Sequence, residues 1–195
     1  MQCSAGILAG GEGRRLGGAD KGWIDIHGQP LIVHVLDSLR PGFQNLLISA
    51  NRHLDRYAAL GVPVLPDTLG AGPLAGVARL LQAAPDPWLL CVPCDAGALA
   101  PNWLARFAAL AGDDIDAVVL DDGERVHPTF CLLRTSLASA AEARLQAGQY
   151  GLYPWLQTLR LARLHAALPA NLNTPEQLAD YRDAVGDART AEALA

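Results

Sequence analysis

Short apolar runs alternate along this chain with segments of helical period, and that alternation restricts the fold more than any other feature. The runs at 3–9, 45–50, 62–65, 88–92, 116–120 and 130–133 read as strands. Between them, 30–39, 73–84, 101–111 and 135–146 read as helices, with a shorter helix at 53–60 and a last one at 175–184. The first helix shows the spacing best: Leu31, Val35 and Leu39, with Ile32 and Leu36 beside them, and Pro30 suited to a first turn. Asn173 or Thr174 is placed to cap the last helix, with Glu176 and Gln177 in its first turn. Strands and helices at this spacing predict an α/β fold, a mostly parallel sheet with helices on both faces. Residues 1–185 are expected to form one domain, and 186–195 to fray as a C-terminal tail.

In such sheets ligands sit beyond the carboxyl ends of the strands. Three segments fall there: the glycine loop after the first run, Asp67 after the third and Asp95 after the fourth. The loop reads Leu8-Ala-Gly-Gly-Glu-Gly-Arg-Arg-Leu-Gly-Gly-Ala-Asp-Lys-Gly22. Glycines let main-chain N–H groups approach a ligand and form an anion nest, and Arg14, Arg15 and Lys21 add full charges. Glycines alone would equally suit a flexible surface loop. The strand before them and the three cations among them favour a phosphate site. Two known loops do not fit. A Walker A loop needs Ser or Thr after its lysine, and Gly22 stands there; a dinucleotide fingerprint needs a third glycine where Leu16 stands, and 23–26 alternates like a short strand instead of opening a helix.

The other polar residues narrow the chemistry. Asp95 ends an apolar strand, where a carboxylate needs a partner; magnesium, held by one or two carboxylates plus substrate phosphates, is one candidate and a plain turn aspartate the other. Cys91-Val-Pro-Cys94 has redox spacing but lies in a strand rather than at a helix start, so two small buried residues are expected. Zinc lacks a second ligand pair. His127-Pro-Thr129 reads as a turn, with packing as the ordinary role of the histidine. The net charge of −5 argues against a nucleic-acid partner. No apolar run approaches the roughly 20 residues of a membrane span, and no basic segment precedes an apolar run at the start, so a cytoplasmic protein with reduced cysteines is expected.

Taken together, these motifs resemble the molybdenum cofactor guanylyltransferases. The glycine loop with its Asp-Lys-Gly ending carries the resemblance, and it continues in 50–53, 66–67, 72–76, 93–95, 127–129 and 171–178, in order along nearly the whole chain. The resemblance implies a three-layer, Rossmann-like nucleotidyltransferase fold. It implies transfer of GMP from GTP to the phosphate of molybdenum-molybdopterin, with release of pyrophosphate and Mg2+ as cofactor. Leu8, Ala9, Gly10, Gly11, Gly13, Lys21, Asn51, Asp67, Gly76 and Asp95 fall at GTP-binding positions, with Asp95 as the metal ligand. Lys21, Asp95 and Arg15 are the catalytic candidates, and His127, Asn171 and Asn173 the molybdopterin contacts. Other proteins of molybdenum cofactor synthesis and acceptor molybdoenzymes are implied as partners. The chain departs from the pattern at Leu16, where methionine is usual, at Asp95-Ala-Gly97 in place of Asp-x-Pro, and at 149–152, which lack an arginine expected near the pterin phosphate. A CTP-dependent cytidylyltransferase, a sugar-phosphate nucleotidyltransferase and a noncatalytic nucleotide-binding adaptor are the alternatives.

Overall fold

The computed structural model describes residues 1–9, 20–67, 72–168, 172 and 174–193. β1 (Cys3–Leu8) is an inner strand of the main sheet, and β2 (Asp25–Ile26) and β3 (Gln29–Pro30) form a separate small hairpin. β4 (Leu46–Ser49) and β6 (Trp88–Pro93) flank β1, both parallel to it, and β5 (Val64–Leu65) pairs parallel outside β4. β8 (Val126–Arg134) runs antiparallel between β6 and β7 (Ala117–Asp121), and β9 (Leu161–His165) joins β7 in parallel. Among the described residues these make one sheet, ordered β5-β4-β1-β6-β8-β7-β9. The mostly parallel sheet expected from the sequence is therefore present, with β8 as its reversed member.

Period-two alternation builds the layers. On β6, Leu90 and Val92 join one core and Leu89 and Cys91 the other. The first core takes Ile32 and Leu36 of α1 (Leu31–Leu39), Tyr57 of α2 (Leu54–Ala58) and Phe107 of α4 (Trp103–Ala108). The second takes Leu74 and Leu80 of α3 (Pro73–Ala83), Leu145 of α5 (Ala138–Gln146) and Trp155 of α6 (Leu152–Leu156). Each such side chain, taken out of water, contributes about 1.5–3 kcal/mol. α7 (Pro175–Ala193) lies over the hairpin. Its Leu178 packs with Ile26, Leu31 and Leu172, and its Arg182 donates to the Asp25 carbonyl at 2.8 Å.

Several boundaries differ from the sequence reading. Pro30 ends β3 in extended geometry, and α1 starts one residue later. The His127-Pro-Thr129 segment, read as a turn, belongs to β8; the proline is tolerated beside a register shift opposite Val119 and Leu120. β9 has a single buried side chain, Leu164, too weak a pattern to read as a strand. α6 contains Pro154, which sits in its first turn, where no N–H bond is lost. Thr174 and Gln177 cap α7 reciprocally, and the helix runs on to Ala193, through residues expected to fray.

All strands of the main sheet except β8 point the same way. Their carboxyl ends form one rim, where Leu8 stands opposite Ser49 and Pro93, and Ser49 opposite Leu65. β8 enters the sheet at this same edge.

Candidate functional site

The chain leaves the sheet at Ala9, whose N–H still bonds the Ser49 carbonyl at 2.8 Å, and is described again from Asp20. A 3-10 turn, Lys21–Trp23, follows, and the Asp20 carboxylate caps it by accepting from the Gly22 N–H at 3.2 Å. This turn aims Lys21 back at the rim. Asp95 arrives from the other side, two residues past β6. The Cys94 N–H bonds the Leu8 carbonyl at 3.1 Å and the Ala96 N–H the Pro93 carbonyl at 3.2 Å, which fixes the turn that presents Asp95. Lys21 Nζ donates to Asp95 Oδ2 at 2.8 Å. Their side chains are 17% and 12% exposed, so the pair is mostly withdrawn from water, where neither charge would be stable without the other.

Asn51 and Asp67 meet further along the rim, beyond β4 and β5. The Asn51 amide donates to Asp67 Oδ1 at 2.6 Å, and the Asp67 N–H donates back to Asn51 Oδ1 at 2.9 Å. Asn51 is exposed and Asp67 half-buried. Gly76 is buried beneath the rim: a Cβ there would lie 2.8 Å from Ser49 Oγ and 3.0 Å from Leu8 Cδ2. Its place is that of a spacer that lets α3 press against the strand ends.

His127, at the start of β8, is buried, and its Nε2 pairs with Asp122 Oδ2 at 2.5 Å. The imidazole and the N–H groups of Arg125 and Glu124 hold the Asp122 carboxyl down at about 2. Beside it, Asp121 accepts from the Gly123 N–H at 3.0 Å and from Arg163 Nη1 of β9 at 3.0 Å. The sequence reading missed Asp121, Asp122 and Arg163. The Asp-Asp-Gly run after an apolar strand is a turn signal that marks the first two; Arg163 has no local signal.

Gly10, Gly11, Gly13, Arg15, Asn171 and Asn173 lie outside the described residues. Leu172, between the two asparagines, is described. Its N–H donates to the Asp95 carbonyl at 3.1 Å and its side chain is buried with Ile26 and Leu31. The segment that carries the expected pterin contacts is thus tied to the backbone of Asp95.

The cysteines have the opposite of redox character. Cys91 stands opposite Cys131 across β6 and β8, and all four cysteines are buried and unpaired as disulfides. Burial, then the nearby Asp95 and Asp20 carboxylates, push the Cys94 thiol well above its ordinary range. A reactive thiolate needs the reverse. Among the described residues no group of three or more His, Cys, Asp or Glu side chains could hold a metal, and no helix is long and apolar enough to cross a membrane.

A family profile described as the MobA-like NTP transferase domain matches residues 5–166. The chain is 40% identical over 184 residues to a molybdenum cofactor guanylyltransferase of Shewanella sp. (strain MR-4), covering 91% of this chain and 93% of the relative. It is 41% identical over 182 residues to a protein of the same name from Bordetella petrii, covering 88% and 93%. The fold is similar to the crystal structure of molybdopterin-guanine dinucleotide biosynthesis protein A from Archaeoglobus fulgidus, with a TM-score of 0.77 at 20% identity over 94% of this chain and 99% of that one.

Proposed function

The chain belongs to the MobA-like NTP transferase family, and from that premise we infer that it works as a molybdenum cofactor guanylyltransferase. It moves the GMP unit of GTP onto the phosphate of molybdenum-molybdopterin and releases pyrophosphate. The observation that carries this reading is the Lys21–Asp95 contact, which joins the glycine-loop segment to the end of β6 at the strand-end rim.

Both reactants are anions, so the work is charge neutralisation and alignment. An acceptor phosphate oxygen attacks the α-phosphorus of GTP, the bond from that phosphorus to the bridging oxygen breaks, and pyrophosphate leaves with the electron pair. A phosphate monoester, with its second pKa near 6, is already largely dianionic at neutral pH and needs no general base. Lys21 moves from Asp95 to the β and γ phosphates and stabilises the charge that builds on them. The N-terminus of α3, opened by Gly72 and Pro73, points its dipole at the same rim and favours anions there. In this reading Asn51 and Asp67 bind the nucleoside end, and His127, held by Asp122, binds the acceptor.

Mg2+ fits the donor set. Asp95 is a hard oxygen ligand, and without a protein-built cage among the described residues the remaining positions would fall to phosphate oxygens and water, the coordination Mg2+ prefers. When bound by Asp95 it would supply further neutralisation of the triphosphate. Other proteins of cofactor synthesis and the molybdoenzymes that receive the product are the partners this reaction calls for.

The test measures pyrophosphate release with molybdenum-molybdopterin as acceptor and GTP, CTP, UTP or ATP as donor. GTP is expected to dominate. A CTP preference would move the chain to cytidylyl transfer. Absence of release with every donor, despite nucleotide binding, would favour a binding protein.

A further inference from the structure

We propose that Tyr57 is a positioning residue for Lys21, acting through Asp20; this rests on the nucleotide-transfer reading above and deepens it. Tyr57 lies on α2 and is fully buried, 36 positions along the chain from Lys21, yet its phenol reaches the lysine-bearing turn. The Tyr57 hydroxyl donates to Asp20 Oδ1 at 2.6 Å, and the same oxygen accepts from the Gly22 N–H at 3.2 Å. One carboxylate oxygen therefore fastens the two sides of the turn and pins it to α2. Burial and the Asp20 hydrogen bond push the Tyr57 pKa far above its ordinary range, so the phenol stays a donor at every working pH.

Two packing facts make the pin stiff. Trp23, the last residue of the turn, lies against the Tyr57 ring with centroids 5.1 Å apart, and the Arg56 guanidinium covers the other ring system at 4.0 Å from the Trp23 centroid. Gly22 leaves room for the hydroxyl: a Cβ at that position would come within 2.5 Å of it. A further feature separates this from an ordinary helix cap. Asp20 Oδ2 is buried and has no hydrogen-bond partner among the described residues. An orphaned buried carboxylate oxygen is costly. The fold tolerates it beside the one lysine that reaches Asp95.

The consequence concerns catalysis. Lys21 must leave the Asp95 carboxylate for phosphate oxygens as substrate arrives, and a side chain that changes partners needs a fixed backbone to act in line. Tyr57 supplies that fixed point without touching substrate.

The test is a double-mutant cycle on kcat for GMP transfer, with Tyr57→Phe made in the natural chain and in a Lys21→Ala chain, and thermal unfolding followed for each. Tyr57→Phe removes only an oxygen from a buried ring. It is expected to lower kcat about tenfold in the natural chain, with the acceptor KM unchanged, and less than twofold when Lys21 is alanine, because the two residues act as one unit. Gly22→Ala, which displaces the hydroxyl, is expected to repeat this pattern. An equal loss in both backgrounds would make Tyr57 merely structural and overturn the proposal, as would an unchanged kcat in the natural chain. A Lys21→Ala enzyme that keeps its full rate would remove Lys21 from catalysis, and this inference with it, whereas absence of GMP transfer by the natural chain would sink the nucleotide reading itself.

Discussion

Lys21 and Asp95 are 74 positions apart in the chain and 2.8 Å apart in space, so the fold exists in part to bring two opposite charges to one point. In this account Lys21 acts on the leaving pyrophosphate. Lys21→Ala is expected to lower kcat by about 10²–10³, the scale of one preorganised electrostatic contact; a loss under threefold in steady-state assays would remove it from that role. Both residues were legible because each is locally anomalous, a lysine closing a glycine run and a carboxylate ending an apolar strand. Tyr57 was not. It occupies an ordinary apolar position on a short amphipathic helix, and its partner lies 37 positions away. Asp122 was equally hidden, since its meaning depends on the register that seats His127 at the edge of the sheet.

At the scale of elements, the strands that build the rim were readable because each is a short, almost wholly apolar run between turn signals. β9 and α6 were not: a strand with one buried side chain and a five-residue helix that carries a proline give no period long enough to recognise. The join between α3 and the sheet makes a prediction at this scale. Gly76 faces Ser49 and Leu8 at distances a Cβ cannot occupy without movement. Gly76→Ala is expected to cost about 1–3 kcal/mol, the usual scale of overpacking, despite the better helix propensity of alanine. Urea unfolding would show a lower midpoint at unchanged slope. A midpoint equal to or above that of the natural chain would show that α3 can step back freely.

For the whole molecule, two kinds of charge arrangement meet at one edge. One is the Lys21–Asp95 pair, proposed above to meet the triphosphate, and the other ties down the far side of the rim, at Asp121, Asp122, His127 and Arg163. The second has an acid-stability consequence. Asp122 has its folded pKa lowered to about 2, so its contribution is complete above the ordinary carboxylate range and is lost as pH falls through the folded value. Stability should decline between about pH 4 and pH 2, and Asp122→Asn should flatten that decline. An unchanged acid limb in denaturation curves of the variant would show that the His127 contact does not couple to folding.

The central claim is that Lys21 and Asp95 serve one triphosphate, the first directly and the second through a divalent ion. Binding of a non-hydrolysable GTP analogue to Asp95→Asn, measured by calorimetry with and without Mg2+, tests it most directly. Without metal the variant should bind tighter than the natural chain, because a negative charge is gone and Lys21 is no longer held by it. With metal it should bind more weakly, because the ion has lost its protein ligand. A variant that matches the natural chain under both conditions, or departs from it in the same direction under both, would contradict the account.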